Sequence, residues 1–185
     1  MLEILHHRPR ATQKRERKMN DIEEQIHGLK FDAGKSIRYH SHLRSAWIRW
    51  DHWNKVFTLF LGTSVAGTAI VKYHQAEIIT GMLTAFFSSL DIVLGFSDKS
   101  RLYDDLYKNW YDYLSELECI KCNALNEGVL IKFKQKRYNL ERSEPGIMGW
   151  LERYSCYEEA IAQGLDVNDV WKLNFFQVFI CKILG

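Results

Sequence analysis

At 185 residues the chain has room for one domain, or for one membrane module with a soluble appendage. A formal net charge of +2 gives no electrostatic case for a specific nucleic-acid partner. Charged residues are 26% of the chain, yet only Lys72, Glu77 and Asp91 lie between Val56 and Phe96, so a mean hydropathy of -0.29 averages two unlike parts.

The N-terminus, MLEILHHRPRATQKRERKMND, is basic and has neither a continuous apolar core nor a small-residue cleavage site, so no signal peptide is expected. Arg8, Arg10, Lys14, Arg15, Arg17 and Lys18 suit attraction to a membrane surface. Residues 1–34 read as this basic arm followed by a short helix capped at Asn20 or Asp21, with Gly28 and Gly34 expected to interrupt or loosen it. From Lys35 onward Ile37, Leu43, Trp47, Ile48 and Trp50 predict a helix entering the next segment without a break. Its patch of Arg38, Tyr39, His40, His42 and Arg44 reads as a solvated or headgroup-facing surface rather than a metal or pH-sensing site.

Two apolar runs follow: VFTLFLGTSVAGTAIV, Val56 to Val71, and IITGMLTAFFSSLDIVLGF, Ile78 to Phe96. They predict a hairpin with spans near 54–73 and 78–96. The first run is short, but Trp50, Trp53 and Tyr73 supply interfacial aromatics and Lys55 a flanking cation. From Trp53 to Tyr73 a helix rises about 30 Å, enough for a bilayer core. The competing reading is a buried hairpin in a soluble bundle, since short apolar runs do not by themselves separate core from span.

Within the runs polarity is arranged. Thr58, Gly62, Ala66 and Ala69 share one narrow sector of the first helix, where small residues allow close helix packing. Thr80, Thr84, Ser88 and Asp91 share a sector of the second, a candidate pore-lining or helix-packing stripe. Asp91 is costly inside a span, and Lys55 is its expected partner across an antiparallel hairpin. Twelve Lys or Arg precede residue 56, twelve follow residue 96, and the connecting turn has one. Positive charge on both flanks places both termini in the cytosol.

Beyond Phe96, Leu102, Leu106, Trp110, Tyr113, Leu114 and Leu117 form an amphipathic stripe, so the hairpin region extends over 35–125. The pattern continues helically through ELECIKCNAL. The Cys119–Cys122 pair lacks further metal ligands and a preceding strand, so reduced thiols are expected rather than zinc or redox chemistry. Residues 126–185 read as cytosolic C-terminal helices: EGVLIKFKQKRYNLERSE, a break at Pro145-Gly146, WLERYSCYEEAIAQGL, and an apolar tail from Trp171. Glu158 and Glu159 point 100° apart and make no carboxylate pair. With no nucleophile elbow, phosphate loop, zinc motif or dinucleotide fingerprint, no catalytic site and no cofactor are expected. The fold class is all-α, a two-transmembrane hairpin whose helices extend into a cytosolic bundle.

Three segments carry a resemblance: RYHSHLRSAWIRWDHWNKVFTLFLGTSVAG, SSLDIVLGFSDKSRLYDDLYKNWYDYLSELE and ERSEPGIMGWLERYSCYEEAIAQG. Their order resembles the SLATT family of bacterial two-transmembrane proteins over roughly residues 35 to 165. The most specific part is the junction of Asp91, Gly95, Phe96 and Ser97 running into a charged helix. The resemblance implies an oligomeric pore-forming effector of the bacterial inner membrane in anti-phage or conflict defence. The 185 residues hold no nucleotide-sensing domain, so it also implies a sensor on a separate protein. A membrane-anchored scaffold or exclusion protein without conductance is the alternative.

Overall fold

The structure is a computed structural model that describes residues 10–71, 74–120 and 125–165, without the side chains of residues 10–16, 68–71, 74 and 77. Among the described residues five helices follow one another: α1 (Arg10–Val71), α2 (His74–Leu94), α3 (Phe96–Glu118), α4 (Glu127–Ser143) and α5 (Gly149–Ala162). No strand occurs among the described residues, so the all-α class holds.

The helices divide into two compact units. The first joins α1 up to Arg38 with α3 from Lys108, α4 and α5. Its core is Ile22, Ile26, Leu29 and Ala33 from α1, Trp110, Tyr113 and Leu117 from α3, and Leu130 and Phe133 from α4. Those positions recur at three and four, the spacing that turns one helical stripe inward. Trp110 meets Tyr113 edge-on at 5.6 Å between centroids, and its indole N–H donates to Glu144 at 2.6 Å. Arg137 ties α4 to α1 through Asp32 at 2.6 Å while also holding Glu141 on its own helix at 2.7 Å.

Local signals set most of the ends. Asn126 caps α4, its side chain accepting from the backbone N–H of Val129 at 2.9 Å. Beyond Pro145-Gly146 the chain re-enters helix as α5, which closes on Gly164 with Leu165 N–H donating to the Ala160 carbonyl at 2.9 Å.

Three features differ from expectation. Gly28 and Gly34 do not interrupt α1, because Ile26, Leu29 and Ala33 around them are buried and tertiary packing overrides a weak local preference. The helical pattern expected through Cys119 stops at Glu118. His40 is not on a solvated surface; it is 1% exposed. Cys122 and the tail from Trp171 lie outside the described residues.

The second unit holds α1 from Tyr39, all of α2, and α3 up to Tyr107. Read across Gly95, Ile78–Glu118 is the one helix among the described residues long and apolar enough to cross a membrane, and none of its apolar window is buried. The sequence predicts two such spans. The first run is diluted by Thr58, Gly62, Thr63, Ser64, Gly67 and Thr68, and residues 72–73 lie outside the described residues.

Candidate functional site

In the second unit α1 and α2 lie side by side as an antiparallel hairpin. Phe57 stacks on Phe87 at 5.6 Å, Trp47 meets Phe96 at 5.9 Å, and His40 stacks on Tyr103 at 6.0 Å. As the number falls along α1, its partner's number rises along α2 and α3 by a similar amount. That register carries the pairing from the apolar tip to the charged base.

The tip has its polarity inverted. Leu59, Phe60, Met82, Ile92 and Val93 are between 67% and 84% exposed. Asn54, at the head of the first apolar run, is 8% exposed. A water-soluble helix pair would turn those hydrocarbon side chains inward and the amide outward. Contiguous exposed apolar surface of this kind marks contact with a membrane or a partner.

The stripe of Thr80, Thr84, Ser88 and Asp91 is brought together on one half-buried side of α2. Helical arithmetic puts Phe87 on that side as well, so the stripe is turned toward α1. Two of its hydroxyls are already satisfied, Thr80 donating to the Ala76 carbonyl and Thr84 to the Thr80 carbonyl, each at 2.8 Å. In the small-residue quartet Thr58 is half-buried, Gly62 and Ala66 are exposed, and the Ala69 side chain lies outside the described residues.

The expected Lys55–Asp91 pair is not formed. Lys55 bonds Asp51 one turn back at 2.6 Å, because a partner four residues away on the same helix is always within reach. Trp50 and Trp53 are 59% and 58% exposed, as interfacial aromatics are. Tyr73 lies outside the described residues.

The base contains a polar set that sequence reasoning did not assemble. Arg44 Nε approaches Asp104 at 2.7 Å, an ion pair held by charge rather than by an aligned hydrogen bond. The same guanidinium sits 5.5 Å from the Tyr107 ring, and Lys99 lies over the Trp47 ring at 4.5 Å. Trp47 Nε1 and Asp51 Oδ1, one turn apart, are buried without a hydrogen-bond partner among the described residues. The seven-residue spacing of His40, Trp47 and Asn54 was the available signal.

No group of His, Cys, Asp and Glu among the described residues is arranged to hold a metal ion. Cys119 is exposed, while burial raises the half-buried Cys156 thiol above its ordinary range. What the site offers is a lipid-compatible exterior around a polar seam. No family model, curated protein or solved structure matches this chain.

Proposed function

We propose that the chain is a SLATT-like membrane effector of bacterial anti-phage or conflict defence. Its α1–α2 hairpin forms two spans in the inner membrane, with both termini in the cytosol. The protomers assemble into a homo-oligomer that opens a pore or disrupts the bilayer, and a separate sensor protein supplies the trigger. The observation that carries this reading is the inverted polarity of the tip: exposed Leu59, Phe60, Met82, Ile92 and Val93 around a buried Asn54.

Two helices cannot enclose an aqueous path, so conduction requires several copies. In the protomer the Thr80–Asp91 stripe is turned toward α1 and part of it is bonded internally. A conducting assembly must therefore turn that stripe toward a lumen. The same occlusion favours a second reading, a membrane-anchored scaffold or exclusion protein acting through its cytosolic helices.

Detergent-free fractionation followed by mass determination tests the shared premise, with membrane recovery of a discrete oligomer as the expected result. A well-behaved soluble particle would sink both readings and make the hairpin an ordinary core. Ion flux from vesicles then separates them. Leakage that Asp91→Ala abolishes supports the pore, whereas a membrane oligomer that never leaks leaves the scaffold.

A further inference from the structure

Ile48, Arg49, His52, Trp53 and Val56 line a groove of about 300 Å³ on α1. Helical spacing continues this face past Val56 to Leu59 and Phe60, which are 71% and 67% exposed. The groove wall is largely apolar; one end opens onto the most lipid-like surface of α1, and the other carries Arg49.

The charge at that end is uncommitted. Neighbouring cations are engaged: Arg44 with Asp104, Lys55 with Asp51, and Lys99 with the Trp47 ring. Arg49 has no carboxylate or ring partner among the described residues, and its side chain is exposed. A guanidinium presents a planar fork that matches phosphate oxygens, and an indole settles at the depth of the glycerol backbone. The volume is at the small end for a specific ligand site, room for part of a lipid rather than the whole.

We propose that this face of α1 binds an anionic phospholipid, with the headgroup at its Arg49 end and apolar parts of the lipid in the groove. Arg49 and His52 meet the phosphate, Trp53 packs on the glycerol, and an acyl chain runs over Val56 toward Leu59 and Phe60. A zwitterionic lipid offers the same phosphate but sets its own cation beside Arg49, so the site prefers a net negative headgroup. The inference rests on the membrane reading above and deepens it by naming the lipid class.

The test uses the full chain in vesicles of phosphatidylcholine containing a minority of phosphatidylglycerol, with brominated acyl chains on one lipid at a time. Tryptophan quenching by brominated phosphatidylglycerol should exceed its mole share, with a local enrichment of about fivefold for one cation at the surface. Arg49→Gln with His52→Gln should remove that excess while quenching by brominated phosphatidylcholine persists. Arg101→Gln, an exposed cation elsewhere, should retain it. Quenching that tracks mole fraction in the parent chain overturns the proposal, as does an excess that the Arg49 and His52 changes leave intact or that Arg101→Gln removes equally. Quenching by neither lipid would remove the membrane reading itself.

Discussion

A phenol with no exposed surface has little to gain from ionising. Tyr113 is 0% exposed and donates to the Phe133 carbonyl at 3.2 Å. Burial pushes its pKa up to about 12, against the opposing pull of the nearby Arg137 guanidinium. In the unfolded chain the group ionises near pH 10. Between about pH 10 and 12 the unfolded state sheds a proton that the folded state keeps, so stability falls as pH rises, by about 1.4 kcal/mol per unit. Denaturant unfolding across that window should show this slope in the parent chain and lose it in Tyr113→Phe. An identical slope in both would remove the argument. Gly95 is a second residue whose backbone fixes its identity. At φ +58° it closes α2 by donating to the Asp91 carbonyl at 2.9 Å, while α3 begins at the next residue. Gly95→Ala should cost about 1–2 kcal/mol in micelles, the penalty of a side chain in left-handed conformation. Gly62→Ala, in ordinary helix with open space around it, should be neutral or stabilising, and equal effects at the two sites would contradict the distinction.

At the scale of the element, α5 buries its own Leu151 and Ala160 and is tied to α1 by charge. Lys35 bonds Glu152 at 3.0 Å and Arg38 bonds Glu159 at 2.8 Å. Glu159 is 9% exposed and also accepts from Gln163 at 2.8 Å. It lies so close to α1 that a Cβ at Gly34 would overlap its carboxylate. Gly34→Ala therefore gains helix propensity, about 1 kcal/mol, but displaces a bonded carboxylate. The substitution should be neutral or destabilising in the parent chain and stabilising by about 1 kcal/mol once Glu159→Ala has emptied the space. Chemical denaturation of the four proteins measures both signs, and an effect independent of Glu159 would refute the close approach. The same residue shows what a sequence withholds. Gly34 looks like a helix breaker because its partner is 125 positions away. Asn126 signals a boundary through its own side chain, and Pro145 and Gly164 do so through their own backbones, so α4 and α5 were legible.

For the molecule as a whole, the apolar and polar sets were legible but their facing was not. Sector arithmetic gives equal standing to Thr80, Thr84, Ser88 and Asp91, all half-buried, and to Thr58, Gly62 and Ala66, of which the first is half-buried and the other two are exposed. Periodicity says which residues share a side; only packing says which side is turned in. The first unit buries Ile22, Leu29 and Trp110, while the second leaves Leu59, Phe60, Met82, Ile92 and Val93 exposed and buries Asn54.

One detail of that tip bears on how the chain is made. Just two residues, 72 and 73, separate α1 from α2. If the hairpin enters lipid as proposed, the ribosome delivers first an apolar segment diluted by hydroxyls and glycine, with only this two-residue link behind it. On the membrane reading proposed above, the first helix would not be committed to lipid before the second is synthesised, and the two would enter together. Insertion would then be a single late decision, taken only after Phe96 has left the ribosome tunnel.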